Sequence, residues 1–287
     1  WKLRLCDGKC PHRPAFITFF LFFRNMIRLC KGVIYLEIQE CCYWCGAPAT
    51  SREHVPPKCL FPERKDFKNL IQKDFRKNLI TVPSCDIHNL RKSNDDEYLM
   101  ICLASRTGNN VEAYYHTYTK VRRARARNPS IINVESEAVI ETTNTKFPVQ
   151  WVNVDTLRLQ HSFEAIARAL YFYEFGKQFE GECQIVSRLF FHPDATQSTQ
   201  FNIRACEMIE LEMPSWKTEI KGDNSEIFTY QFCPEDPMKV RTLCLTFYEK
   251  TRVYVILSRM TAEELAIQRK KHKAIVDIAF GDILQSD

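Results

Sequence analysis

Cys42-Tyr43-Trp44-Cys45-Gly46, Arg52-Glu53-His54-Val55-Pro56-Pro57-Lys58 and Asn78-Leu79-Ile80-Thr81-Val82-Pro83-Ser84-Cys85-Asp86-Ile87-His88-Asn89-Leu90-Arg91-Lys92-Ser93 follow one another within a single stretch, residues 42–97, and the rest of the chain is arranged around it. Cys42 and Cys45 stand two residues apart and are followed by a glycine, the spacing that lets two thiolates converge on one ion. Cys85 and His88 repeat that spacing downstream, so the four together predict a tetrahedral Cys3His zinc site. Between and beside the two pairs lies a second group, hard ligands and a base: Glu53, His54, Asn78 and Asn89. The pattern is that of one metal site that folds the chain and another that reacts.

Glu-His-Val-Pro-Pro, the Asn-Leu-Ile-Thr-Val-Pro run into a cysteine, and the ending Asn89-x-x-Lys92 together resemble the HNH nucleases, whose ββα-metal fold is here stapled by a zinc knuckle. The resemblance covers about a fifth of the chain and rests on the order of three separated elements. It implies a metal-dependent endonuclease acting on DNA. His54 would be the general base that deprotonates the attacking water, a role suited to a neutral imidazole. Glu53 and the side-chain oxygen of Asn89 would hold the catalytic ion, and two oxygen ligands with open positions suit Mg2+ or Mn2+ better than zinc. Asn78 would brace the loop bearing His54, and Arg52, Lys58 and Lys92 would grip the phosphate. Two departures stand out. Glu53 occupies a place where the family usually has Asp or His, and His88 closes the second zinc pair where most zinc-bearing members have Cys.

Local chemistry fills in the elements. Pro56 and Pro57 forbid helix, so residues 52–58 are expected as the first strand and 78–82 as the second, separated by a charged, helix-compatible insertion over 66–77. A helix follows from Asp86, with Ile87, Leu90, Tyr98 and Ile101 on its buried side. His88 and Asn89 leave that helix roughly 100° apart, so one can face the zinc and the other the catalytic ion.

A chain of 287 residues, 45% hydrophobic and 26% charged, is globular and long enough for two domains. The net charge is only +5, yet residues 52–92 hold ten Lys/Arg against five Asp/Glu, so the whole excess can sit on the candidate site, as a polyanionic partner requires. Thirteen cysteines in so long a chain point to a reducing, cytoplasmic setting rather than a disulfide framework, with Cys102, Cys206 and Cys244 serving as small hydrophobes. No apolar run approaches a membrane span. Residues 1–39 form a segment whose place in the fold the sequence leaves open: it has an apolar stretch at 15–23, a strand-like run from Gly32 to Glu40, and Cys6, Cys10 and His12 without a matching partner pair. Met26 is a candidate start.

The expected fold class is α+β: an HNH domain over 40–105, then an α+β domain over 106–287 that selects target or partner. Tyr114, Tyr115 and Tyr118 precede Arg122, Arg123, Arg125 and Arg127, a composition that suits a helix along a phosphate backbone or, equally, a solvated helix end. Residues 155–179 read as the main helix, with Leu157, Phe163, Ile166, Ala167, Leu170, Phe172 and Tyr173 on its apolar side. Runs at 184–191, 226–233, 242–249 and 252–258 read as antiparallel strands, the last two as a hairpin. Thr261-Ala-Glu-Glu264 matches a capping box. Two other functions compete with the nuclease: a zinc-stabilised nucleic-acid-binding module without cleavage, and an interaction protein in which the knuckle only folds a loop.

Overall fold

The computed structural model describes residues 27–30, 33–36, 40–67, 73–89, 93–141, 146–190 and 196–261, with scattered positions beyond, up to 281. The candidate phosphate ligand Lys92, the apolar stretch 15–23 and the ligand-like Cys6, Cys10 and His12 lie outside them. The chain divides into two compact units, Trp1–Gln39 and Glu40–Asp287. In the first, β1 (Ile27–Cys30) pairs antiparallel with β2 (Val33–Leu36), from Ile27↔Leu36 to Cys30↔Val33.

The second unit is mixed α and β, with small antiparallel sheets. β3 (Ser51–Val55) and β4 (Ile80–Ser84) form a hairpin with His54 opposite Thr81 and Glu53 opposite Val82. The first strand stops earlier than residue 58, because Pro56 and Pro57 have no N–H to continue the ladder. Lys58–Leu60 instead makes a 3-10 turn. The helix-compatible insertion forms no long helix among its described residues: Arg64–Phe67 is one 3-10 turn, and 73–79 is turn and coil. α1 (Asp86–Asn89) is a single turn and α2 (Ser93–Ala104) begins separately. Tyr98 and Ile101 are buried as expected, whereas Ile87 is exposed, since the turn at Asp86 is set by its ligands and not by a packed apolar face.

α3 (Val111–His116) and α4 (Arg122–Arg127) are joined without interruption by a π-helical stretch, Thr117–Val121. A long hairpin follows, β5 (Asn133–Glu141) with β6 (Lys146–Asn153), exposed over most of its length. α5 (Thr156–Phe175) is the longest helix described. The Asp155 carboxylate accepts from Arg158 N at 3.0 Å to cap its start, and Gly176, at φ 67°, ends it in the left-handed conformation that a side chain resists. Its buried stripe is Leu159, Phe163, Ile166 and Leu170; Leu157 is exposed because at 100° per residue it falls on the opposite side, whereas Tyr173, in line with Ile166 and Leu170, is exposed close to the end of the helix. β7 (Glu182–Val186), α6 (Thr196–Glu212), β8 (Phe228–Phe232), β9 (Val240–Phe247) and β10 (Thr251–Ser258) complete the described elements. The strands form one antiparallel sheet in the order β7-β10-β9-β8. Tyr248 and Glu249, both at positive φ, lie in the three-residue turn that leads β9 into β10, where Phe247 pairs with Thr251.

Among the described residues the buried side chains form two clusters, a small one around Val186, Cys206, Trp216, Cys244 and Tyr254 and a large one. The large cluster runs from Cys42 and Tyr43 through Leu99 and Leu103 of α2 and Phe163 of α5 to Phe247 and Val255 of the sheet. Polar ties cross it. Tyr248 donates to the Leu60 carbonyl at 2.8 Å, the Tyr98 hydroxyl accepts from Asp155 N at 2.6 Å, and Asn224 donates to the Lys77 carbonyl at 3.1 Å. The ten cysteines from Cys41 to Cys244 are free thiols. No described helix is long and apolar enough to cross a membrane.

Candidate metal centre and its surroundings

Four ligands from two distant stretches meet in one place. The ligand atoms of Cys42, Cys45, Cys85 and His88 all lie within 4.8 Å of one another. Zinc bonds of about 2.3 Å to sulfur and about 2.0 Å to nitrogen, held tetrahedrally, place sulfurs roughly 3.8 Å apart and sulfur and nitrogen roughly 3.5 Å apart. Cys45 Sγ and Cys85 Sγ are 3.8 Å apart, and His88 Nδ1 is 3.6 Å from Cys42 Sγ and 3.2 Å from Cys85 Sγ. The cluster can hold a metal ion such as zinc, and the donor set, three thiolates and one imidazole, is the borderline-soft set that zinc prefers.

The sequence builds this locally. Gly46 sits at φ 71° and donates to the Cys42 carbonyl at 3.0 Å, closing the knuckle. Cys85 follows directly on β4, and its carbonyl accepts from both His88 N (3.1 Å) and Asn89 N (3.0 Å), so α1 starts on the ligand itself. Burial acts to raise the Cys42 thiol, but the backbone N–H groups of Cys45, Cys85 and Trp44 outweigh it and hold the thiol below its ordinary pKa, towards the form that binds metal. Around the ligands, the Trp44 ring stacks on the His88 ring with centroids 5.0 Å apart, Arg168 lies over the other ring system of that stack at 5.2 Å from the Trp44 centroid, and Gln178 donates to the Cys42 carbonyl at 3.1 Å. His161 and Glu164, at helical spacing on α5, serve as surroundings: the His161 ring is 5.5 Å from Trp44, and Glu164 pairs with Arg168.

No family model, no curated protein and no solved structure matches this chain.

What the site can do is therefore read from its own groups. β3 carries Glu53 and His54 on opposite faces. Ser51 and Glu53 share the inner face, and Asn89 reaches that face from α1, its Nδ2 donating to Ser51 Oγ at 2.8 Å. Glu53 is buried, 7% exposed, next to the fully buried Tyr43, whose phenol is pushed well above its ordinary pKa by burial and then by the Glu53 charge. Glu53 and Asn89, the ligands expected for a catalytic ion, thus belong to the same side of the strand.

His54 stands half-buried on the other face. Burial first, then the charges of Lys58 and Arg76, lower its pKa, and the imidazole is neutral at neutral pH. Lys58 is exposed beside it. Arg52 is exposed but engaged, its guanidinium on Glu40 at 2.8 Å and on the Thr81 hydroxyl at 3.1 Å. Asn78 is an exposed turn residue at φ 54°, a left-handed position that Asn tolerates; among the described residues it makes no side-chain hydrogen bond to the loop beyond His54. Of the four arginines singled out on α4, Arg123 is held by both oxygens of Asp66 (2.9 and 3.0 Å), Arg125 by Gln150 (3.0 Å) and Arg127 by Glu97 (2.7 Å), while Arg122 is exposed.

Arg76 and Lys120 escaped the sequence reading. Arg76 donates to the Phe61 carbonyl at 3.0 Å and pairs with Glu63 at 3.1 Å; Lys120 approaches the same Glu63 at 3.8 Å and donates to the Cys59 carbonyl at 3.4 Å. The Lys65 hydrogen bond first, then the charges of Arg76 and Lys120, bring the Glu63 carboxyl down to about 2. Neither cation belongs to a motif, and only the tertiary fold brings them beside the loop that leaves His54.

Proposed function

We propose that this chain is a metal-dependent endonuclease of the HNH type that hydrolyses DNA phosphodiester bonds, with β3, β4 and the helical turn at Asp86 acting as a ββα-metal unit stapled by zinc. The observation that carries this reading is the Asn89–Ser51 contact, which joins the end of the motif to the strand bearing Glu53 and His54. Residues far apart in sequence are thereby gathered on one hairpin and the turn that the metal cluster anchors.

His54, neutral and flanked by cations, takes the proton of an attacking water. Lys58 and Arg76 draw the scissile phosphate towards it and neutralise charge that builds on the phosphate oxygens. Glu53 and Asn89 Oδ1 would hold Mg2+ or Mn2+, which when bound supplies charge neutralisation at the phosphate. Tyr43 excludes water behind Glu53. Burial of Glu53 is the observation that favours a second reading, a zinc-stabilised nucleic-acid-binding module without cleavage, since an ion with open positions needs access to solvent. The test is purified protein with supercoiled plasmid and either Mg2+ or Mn2+. Nicked or linear product is expected with one of them; tight binding to labelled DNA without a nick under any divalent ion would establish the binding module instead.

A further inference from the structure

The unbroken helix from Val111 to Arg127 turns one side inward and leaves another bare. Ala113, His116, Val121 and Ala124 are buried, while Tyr114 and Tyr118 are 52% and 55% exposed with ring centroids 4.6 Å apart. Arg122 continues the same row one turn further. Four α-helical residues drift by about 40° around the axis, and the wider π turn at Thr117–Val121 offsets that drift, so Tyr118 and Arg122 stay in line. Beside them is a recess of about 390 Å3 lined by Lys65, Asp66, Tyr118, Arg122 and Arg123. Asp66 adds no free negative charge there, because Arg123 holds both its oxygens. Lys65 and Arg122 face the recess as exposed cations.

The recess is linked to the strand that carries His54. The Cys59 carbonyl, just past that strand, accepts from His116 at 3.0 Å and from Lys120 at 3.4 Å, which fixes the helix against the loop. Lys58, Arg76, Lys120, Lys65, Arg123 and Arg122 lie between His54 and Tyr118, six cations with Glu63 and Asp66 paired among them and with Glu53 and Asp96 close by. A polyanion is the partner that such a row attracts. Two exposed rings add nothing to a contact with duplex backbone, where the bases are already stacked inside; they offer a flat surface to bases that are unpaired.

We propose that Tyr114 and Tyr118, with Arg122 and Lys65, bind a single-stranded stretch of polynucleotide, its bases stacking on the tyrosine pair and its phosphates lying on the two cations. This rests on the nuclease reading only in that the strand leads towards His54; the binding itself needs no cleavage. The substrate class is then DNA with an unpaired segment next to the cutting position.

Fluorescence anisotropy tests this with a labelled oligothymidylate of about ten nucleotides and a blunt duplex of the same length, in Ca2+ buffer free of chelator so that bound zinc is kept. Wild type should bind the single strand more tightly. Tyr118→Ala should weaken single-strand binding roughly tenfold and change duplex binding by less than about twofold, while Tyr118→Phe, which keeps the ring, should behave as wild type. Arg122→Ala should weaken both and reduce the slope of log affinity against log salt by about one. Equal affinity for both probes, or single-strand affinity unchanged in Tyr118→Ala, overturns the proposal. Zinc content checks that each variant is folded; if Tyr118→Ala loses zinc, Tyr114→Ala is held to the same outcomes. Plasmid nicking measured in parallel separates the two readings: His54-dependent nicking with unaltered binding in Tyr118→Ala defeats this proposal alone, and Tyr118-dependent binding without nicking defeats the nuclease alone.

Discussion

An imidazole buried as completely as that of His116 resists protonation, since its charge would have to sit away from water beside Lys120 and Arg76. Burial first, then those cations, against the Cys59 carbonyl and Asp66, bring its pKa down to about 4 from 6.5. The unfolded chain therefore binds the proton more readily. Stability from this group is complete above pH 6.5 and is lost as pH falls towards 4, with a cost of about 2 kcal/mol by pH 5. Urea unfolding at pH 7 and pH 5 should show that loss in wild type and a correspondingly smaller one in His116→Gln; identical pH dependence in the two proteins would remove His116 as the cause. At the candidate site, Asn89→Ala should raise the divalent-ion requirement for cleavage and be partly rescued by Mn2+, which binds such sites more tightly than Mg2+. A variant equally impaired in both ions would take Asn89 out of that role. Cys42, Cys45, Cys85 and His88 were legible residue by residue because ligand spacing is a local property. Arg76 and Lys120 were not, since what places them near the His54 loop is a carbonyl and a carboxylate supplied by other parts of the fold.

β4 and α1 meet on Cys85, and β3 is fastened to them by the Asn89–Ser51 and Thr50–Asp86 hydrogen bonds, so the hairpin and turn depend on the cluster more than on their own short lengths. Structural zinc is worth about 10 kcal/mol or more in small modules. Cys85→Ala should yield protein that is insoluble or rapidly proteolysed, and wild type should carry one zinc per chain by metal analysis; well-folded wild type free of metal would refute the staple. α5 makes a milder prediction. Nothing lies within 4 Å of a Cβ added at Gly176, so Gly176→Ala should cost only the strain of the left-handed backbone, about 1 kcal/mol, seen as a fall of a few degrees in Tm. α5 and the β9–β10 hairpin were readable because each has a buried face with a clear period. β5, β6 and α6 were not. The hairpin is exposed along most of both strands and has Pro148 within it, and α6 is largely polar with Cys206 and Thr199 among its few buried residues, so neither presents the apolar rhythm on which such a reading depends.

Across the molecule, the buried cluster that begins at Cys42 passes through α2 and α5 into the four-stranded sheet, and packing continues across residue 105, where the sequence suggested a domain boundary. Loss of the metal should accordingly be felt beyond the hairpin. The chain's modest net charge of +5 conceals an uneven distribution: the cations that lead from Lys58 to Arg122 line one route, where four of them share the carboxylates of Glu63 and Asp66, while Arg158, Arg168 and Arg259 pair with carboxylates of their own elsewhere. Composition could show the excess over 52–92 but not the route, which is assembled from the insertion and the helix beyond it. The most direct test of the nuclease reading is the rate of supercoiled-plasmid nicking in Mg2+ or Mn2+ for wild type and His54→Ala at equal zinc content and equal DNA affinity. General-base catalysis by His54 predicts that the variant is slower by about 10² to 10⁴. Undiminished nicking by His54→Ala would contradict it.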